Sequence, residues 1–410
     1  MKTLIIILSL LLNISLFAQK ELSPYLKTAA ENNAGIKAAF SEYNASLQML
    51  PQAKTLPDPE LMFQYFITPP QWEMGKQQFN LSISQLFPWF GQLKAQEKVA
   101  AEMAKAKYES FINERNRLFM EVKSTYFKWY VQHQSVKLTE ENLKLLQSFR
   151  EIAKTKFEVG KGSLVNVLRA DMEIAEMENN LLFLKEEEMP LKSEFEKLLN
   201  TKNLGELQFP ETLWKDSLPD NKTALFDSIA ANNPSLKKMA HEIVAWENQI
   251  IASKKMGYPS IKLGVQYMNM AKREGEFPSN GKDMWMFPEV GLSIPIYRKK
   301  YRAMVNEANY KSESANYQKI EITNELNSKM EMNYRDYVNA QRSIILYKRL
   351  LELAKNAREL LLSSFSGAGS DFEEVLRMQK QELVYALRLE EARAMLNTSV
   401  AKITNLTGKE

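Results

Sequence analysis

The 410-residue chain contains no cysteine. That excludes a disulfide framework, thiolate metal sites, a cysteine nucleophile and a lipid-modified cysteine at a mature N-terminus. Histidine is scarce: His133 and His241 are the only two, on separate stretches, and each reads as a packing or surface residue rather than a ligand. Charge of one sign is lacking as well, with 54 basic and 50 acidic residues and a net charge of +4. No basic stripe with interleaved aromatics appears, so nucleic acid is not an expected partner. After the first twenty residues no apolar run reaches the eighteen or so needed for a transmembrane helix. Any membrane crossing must then be made by β-strands. Catalytic patterns are missing too. The piece Gly160-Lys161-Gly162-Ser163 has threonine at 155 where a phosphate loop needs its first glycine, and its serine follows glycine rather than lysine. No enzyme activity and no cofactor are expected.

The N-terminus reads as a secretory signal peptide over residues 1–18. Lys2 supplies the positive region, Leu4 to Phe17 the apolar region, and cleavage is expected after Ala18, although Leu16 fits the −3 position poorly. An uncleaved anchor is the competing reading.

Two segments, about Gly91–Phe157 and Arg298–Phe365, have neither proline nor internal glycine and are rich in strong helix formers. At 1.5 Å per residue each predicts a helix of roughly 100 Å, a length that points to a coiled coil. Apolar residues step by threes and fours along both. One seam runs through Val122, Tyr126, Trp129, His133, Val136, Leu143, Leu146, Ala153 and Phe157, interrupted by Glu140 and Arg150. The other runs through Tyr337, Ala340, Ile344, Tyr347, Leu351, Ala354, Leu361 and Phe365, interrupted by Arg358. Laying Trp129 on Tyr337 lays Arg150 on Arg358 and Phe157 on Phe365. Glycines then reverse the chain, Gly160 and Gly162 in one half and Gly367 and Gly369 in the other, before a return helix.

The same order recurs around these segments, so an internal two-fold repeat is expected, residues 19–200 and 223–410, joined by a linker over 201–222 with room for a short helix. In each half a helical stretch opens at an asparagine pair, Asn32-Asn33 or Asn232-Asn233, and ends near a proline. Strands are expected at about 60–67, 78–87, 260–270 and 287–296. Long helices are expected at about 91–157 and 298–365, and return helices at about 164–200 and 372–406. The strands alternate: Phe79, Leu81 and Ile83 oppose Asn80, Ser82 and Ser84, and Ile261, Leu263, Val265 and Tyr267 oppose Lys262, Gly264 and Gln266. Met62 and Phe66 blur the polar side of the first strand. Such alternation fits a membrane barrel strand and a half-buried soluble sheet equally. Four strands cannot close a barrel, for which about eight is the minimum; three copies would supply twelve. Met268, Met270, Met284 and Met286 read as apolar filler, with a soft-metal role as the lesser alternative.

The order and spacing of these pieces resemble the TolC-type outer-membrane efflux proteins, the outer membrane factors of tripartite export systems, over about Leu22–Leu406. Phe157-Glu158-Val159-Gly160 with Val167-Leu168 is similar to that family's tip motif, and SQLFPWFG (Ser84–Gly91) and SIPIYRKK (from Ser293) to its strand-to-helix passages. LPDPEL (Leu56–Leu61) resembles the heavy-metal branch. The resemblance implies a mostly α protein with a small membrane β part: long antiparallel coiled-coil helices forming a periplasmic tunnel, and four strands per chain in a shared twelve-stranded trimeric barrel. It implies a homotrimer in the outer membrane of a Gram-negative bacterium, in contact with outer-membrane lipid and working with a periplasmic adaptor and an inner-membrane pump of RND or ABC type. A periplasmic adaptor protein and a pore-less coiled-coil protein are the alternatives. Pro88 and Pro295 fall at the strand-to-helix passages. The tips Val159, Gly160, Lys161, Gly367, Ala368 and Gly369 fall where the adaptor docks, although the second departs from the motif. The gate falls on Asp371, Glu374 and Arg377, where arginine replaces an acid of the family. Threefold symmetry would turn one inward carboxylate into a ring that selects cations. The plainer reading of Asp371 and Glu374 is first-turn helix chemistry.

Overall fold

A computed structural model of the protein describes residues 22–202, 204–205, 207–219, 221–367 and 371–409. The expected signal peptide and the tip residues Ala368 and Gly369 lie outside the described residues. The elements, in chain order, are α1 (Ser23–Asn32), α2 (Ala34–Leu47), α3 (Met49–Lys54), β1 (Glu60–Tyr65), β2 (Gln71–Trp72), β3 (Gly75–Phe87), α4 (Gln92–Glu158), α5 (Leu164–Leu199), α6 (Lys222–Asn232), α7 (Pro234–Met256), β4 (Ser260–Ala271), β5 (Met284–Ser293), α8 (Arg298–Gly367) and α9 (Phe372–Thr407). The chain is mostly helical with a few antiparallel strands. No described helix is long and apolar enough to cross a membrane.

Some details differ from what periodicity predicts. The stretch before β1 is three helices; the first break falls where Asn33 leaves the helical region with ψ 126°. Asn233 does the same with ψ 124° between α6 and α7. Each asparagine makes a matching contact. The Asn33 amide donates to Leu198 O at 3.0 Å, and the Asn233 amide to Leu406 O at 2.9 Å, so each satisfies an orphan carbonyl at the end of a return helix. A fifth strand, β2, adds a short pairing to β3. No helix forms in the described part of the linker.

The chain divides into two compact units. The first holds Met1–Ala38, Ile112–Pro234 and Thr323–Glu410. Its core is aromatic: Tyr126, Phe127, Tyr130 and Phe195 are buried, and Tyr25 meets Phe195 edge-on at 5.4 Å. The linker straps across it, with Phe209 5.3 Å from Tyr126. Its backbone polar groups are satisfied by side chains, as burial demands. Tyr130 Oη accepts from Leu213 N and donates to Glu390 Oε2 at 2.7 Å. Asn397 accepts from Asp216 N and donates to Trp214 O. The second heptad seam is buried at Tyr337, Ala340, Ala354 and Phe365. The first is buried at Val122, Tyr126, Trp129, Leu146 and Ala153, while His133 is exposed and pairs with Glu188 at 3.5 Å.

The second unit holds Ala39–Phe111 and Ser235–Ile322. Its sheet has the order β1-β3-β4-β5, antiparallel throughout, with β2 on β3. The row Leu61, Ile83, Val265 and the row Phe63, Leu81, Tyr267, Trp285 form one face. The row Gln64, Asn80, Met268, Met284 belongs to the other. The apolar face is bare in the single chain: Leu61 is 70% exposed, Phe63 63% and Trp285 68%. On the other face polar groups bond one another. The Gln77 amide donates to Asn80 Oδ1, and Trp72 Nε1 donates to Gln77 Oε1 at 3.2 Å. Gly264 permits close approach of β3 and β4, since a Cβ there would lie 2.9 Å from Ile83 O and 3.0 Å from Ser84 Cβ.

Two predictions follow from the first unit's core. Phe195→Ala should lower its stability by about 3–5 kcal/mol, read from denaturant unfolding by near-UV circular dichroism. Burial holds the Asp216 carboxyl above its usual range, against the opposing pull of Trp214 and Lys123. A carboxyl raised in the folded state favours folding most when protonated, so its contribution falls as pH rises through the carboxylate range. Asp216→Asn should therefore raise the unfolding midpoint at neutral pH and leave it unchanged at acidic pH; equal shifts at both would contradict this.

Candidate functional site

The two helix turns meet in one cluster within the first unit. Leu146, Phe149 and Ala153 of α4, Val167 and Ala170 of α5, Phe365 of α8, and Phe372, Val375 and Leu376 of α9 form a continuous buried core. The hairpin α4–α5 is thereby packed against the hairpin α8–α9 close to both reversals. Phe365 and Phe372, which flank the second turn, hold their rings 4.9 Å apart. Phe157, the counterpart of Phe365, is 42% exposed. The first tip thus presents apolar surface that the second buries.

At the first tip α4 ends in a Schellman arrangement. Gly160 N donates to Phe157 O at 2.9 Å and Lys161 N to Lys156 O at 2.8 Å. Gly160 is left-handed, φ 71°, and nothing lies within 4 Å of the Cβ it lacks. Backbone conformation alone requires glycine there. Val159 and Lys161 are exposed beside it. Ser163 then caps α5, its side chain accepting from Val165 N. At the second tip Gly367 is the last residue of α8. Asp371 caps α9 by accepting from Glu373 N at 3.1 Å, so the plainer reading of Asp371 is the one its geometry satisfies.

The charges of the tip are matched in pairs. Glu374 is bonded to Arg377 one turn along α9. Arg169 of α5 reaches Glu373 at 3.0 Å and Asp371 at 4.0 Å. Lys380 faces Glu173 at 3.5 Å and Glu176 at 3.9 Å. Lys156 of α4 donates to Phe365 O, a carbonyl in the last turn of α8, and lies 4.4 Å from the Phe365 ring centroid. A cation on final-turn carbonyls and acids in a first turn both suit the helix dipoles. Asp371, Glu374 and Arg377 are brought together by the structure, but with each carboxylate already facing a cation. Arg169 and Lys156 escape sequence reasoning because their partners lie on the other hairpin; for Arg169 opposite charges at facing positions would be a signal, whereas Lys156 meets a carbonyl and a ring.

Behind the tip, Arg150 and Arg358 each turn inward to the return helix of their own hairpin. Arg358 Nε meets Glu382 at 2.5 Å, with side chains 11% and 19% exposed. Arg150 Nε meets Asp171 at 2.5 Å at a more exposed position. Both arginines interrupt the heptads as ion pairs rather than as gaps. Pro88 lies between β3 and α4, and Pro295 between β5 and α8. Among the described residues no group of three or more metal-ligating histidine or acidic side chains forms. Met268 and Met284 are cross-strand partners.

Residues 25–187 match the family model described as outer membrane efflux protein. Toxin and drug export protein A of Aggregatibacter actinomycetemcomitans is 24% identical over 270 residues, 63% of this chain and 58% of that protein. The probable efflux pump outer membrane protein TtgC of Pseudomonas putida is 23% identical over 206 residues, 50% of this chain and 43% of that protein. The matches thus span about half the length of these relatives. Among solved structures, the outer-membrane channel OprN superposes with a TM-score of 0.80 at 16% identity, covering 95% of this chain and 90% of that one. CusC gives 0.80 at 14%, with 95% and 92% covered, and VceC from Vibrio cholerae 0.76 at 13%, with 95% and 96% covered. The fold is that of outer-membrane channels, and the sequence relates the chain to the outer membrane efflux proteins.

Removing one member of a buried ion pair strands the other. Glu382→Ala should destabilise the second hairpin by about 3–5 kcal/mol. Asp171→Ala, at the more exposed pair, should cost below about 1 kcal/mol. Thermal unfolding of the two variants side by side reads the difference.

Proposed function

We propose that three copies of this chain form the outer-membrane channel of a tripartite export system. The observation that carries this reading is the sheet of the second unit: an apolar face left bare, and two edge strands, β1 and β5, each with no strand on its outer side among the described residues. A half-buried soluble sheet covers its apolar face, and unpaired edges invite further strands. Three sheets of four principal strands, of which β1 has six residues and the others ten or more, make a closed twelve-stranded barrel with lipid outside and water inside. From the strand ends the chain passes into continuous helices of 67 and 70 residues, about 100 Å by their rise. These form the walls of a periplasmic duct. The corresponding bonds of Asn33 and Asn233, and the corresponding caps Ser163 and Asp371, support a duplicated half-channel. The efflux-pump names carried by the relatives support the same role.

The channel is a passive exit and not an enzyme. Energy comes from an inner-membrane pump of RND or ABC type, coupled through an adaptor that docks on the tips at Val159, Gly160 and Lys161, beside the exposed Phe157, with Gly367 to Gly369 at the inner turn. Asp371, Glu374 and Arg377 lie at the gate. The reading of the chain as an adaptor requires more strands around one helical hairpin, and two hairpins argue against it. Membrane fractionation with chemical cross-linking tests the whole reading: an outer-membrane trimer is expected, and a soluble monomer would overturn it.

Pairing with Arg377 masks the Glu374 carboxylate. In planar bilayers Arg377→Ala should therefore strengthen block by multivalent cations entering from the periplasmic side, and adding Glu374→Ala should abolish the gain. Identical block in both variants would remove these residues from the gate.

A further inference from the structure

Where the second unit's strands join its helices, cations and aromatic rings collect without acids. The pieces are Lys254-Lys255-Met256-Gly257-Tyr258 at the end of α7, Tyr297-Arg298-Lys299-Lys300-Tyr301-Arg302 at the start of α8, and Trp89-Phe90 after β3. Between α7 and α8 they line a groove of ≈ 690 Å³, whose charged walls are Lys254, Arg298 and Arg302 and whose rings are Tyr258 and Tyr301. No carboxylate lines it.

The groove is held in shape from below. Arg298 Nη1 donates to Gly257 O at 2.7 Å, tying α8 to the end of α7. Lys255 Nζ donates to Phe90 O at 3.1 Å. Trp89 stacks on Tyr258 with centroids 5.4 Å apart and planes 21° from parallel. Those two cations are anchored, whereas Lys254, Lys299 and Arg302 make no ion pair among the described residues. Clustered like charges repel, so such an arrangement is stabilised by an anion that sits among them. Arginine and lysine together suit a phosphate, the one by directed donors and the other as a point charge.

The surroundings indicate which phosphate. Phe90 and Tyr297 point bare rings outward, 75% and 77% exposed, as rings do at a membrane–water boundary. Ile294 and Ile296, between β5 and the groove, are also exposed and continue the apolar strand surface. A phosphate held in the groove would thus have an apolar track leading from it along the strands. We propose that this groove binds the headgroup phosphate of an anionic phospholipid in the leaflet on the helical side, with acyl chains along Ile294, Ile296 and β5. Basic pockets beside membrane-spanning segments recognise acidic lipids in this way. The proposal rests on the reading of β4 and β5 as barrel strands.

The test reconstitutes the full chain in nanodiscs of phosphatidylcholine containing a minority of phosphatidylglycerol, re-extracts it in mild detergent and measures the retained lipids by mass spectrometry. Wild type should retain phosphatidylglycerol above its bulk fraction. Lys254→Gln and Arg302→Gln should each reduce that enrichment about fivefold, and Lys254→Arg should preserve it. Arg298 is left intact because it also holds the backbone. Inorganic phosphate added during extraction should displace little of the lipid; complete displacement would mark a free-anion site and overturn the lipid assignment. Insertion without enrichment, or enrichment unchanged in both glutamine variants, would overturn the groove site and leave the channel reading standing. Failure to enter any bilayer would overturn the channel reading and the groove with it.

Discussion

An antiparallel sheet of four principal strands has two edges, and each edge carries a row of backbone donors and acceptors that nothing in the same chain can satisfy. The remaining features answer to that constraint. The edge strands β1 and β5 are apolar on one face; β1 has no interior lysine or proline, whereas β5 carries Pro288 at its register irregularity opposite Gly264 and Gln266. Unpaired edges of this kind invite other strands; the proposed closure with copies of itself answers this, because only closure removes edges altogether. The polar face already has internal order, through the Trp72, Gln77, Asn80 and Gln64 contacts. In the proposed barrel that face would meet water rather than a second packed layer, and the sheet would separate lipid from solvent without a core of its own.

The helical part is built differently because it can satisfy its backbone internally. Its weak points are helix ends, and there the chain spends side chains with specific geometry. Asn33 and Asn233 reach across to the ends of α5 and α9, Ser163 and Asp371 cap the starts of those helices, and the linker is pinned by Tyr130, Tyr337 and Asn397. Each closes an accounting that burial would otherwise leave open. Local hydrogen bonds thus hold the parts that heptad packing does not reach.

Much of this was legible beforehand. Long helices without proline, glycine-marked reversals and alternating strands follow from periods of 3.5 and 2, and those periods are properties of neighbouring residues. The seam through Tyr337, Ala340, Ala354 and Phe365 is buried where the heptads place it. The first seam is likewise buried at Val122, Tyr126, Trp129, Leu146 and Ala153; the rule misleads only locally, at His133, which faces Glu188, and at Phe157, in the last turn of its helix. Arg358 looked like a break in the pattern; its partner Glu382 lies on the return helix, and nothing local announces it. The tip's charge matching was likewise hidden, since Arg169 and Lys156 find their partners on a distant hairpin. Asp371 was legible in both of its senses, and the cap is the one its geometry fulfils.

Under the proposed channel reading, that matching changes what kind of barrier the tip can be. Three uncompensated carboxylates around a narrow axis would attract cations strongly and would also repel one another, working against closure. Here Glu374 faces Arg377, and Asp371 and Glu373 face Arg169 from the other hairpin. The contacts between α5 and α9 bind one hairpin to the other within a single chain, so parting the hairpins would expose both signs of charge and the core around Phe365 and Phe372 together. The exposed pairs contribute little individually; the larger resistance comes from apolar surface that would have to be wetted. Under the same reading, a partner that opened the tip would need to offer replacement apolar contact as well as charge, and Phe157 and Val159, bare at the neighbouring reversal, are apolar surface of this chain on which it could rest.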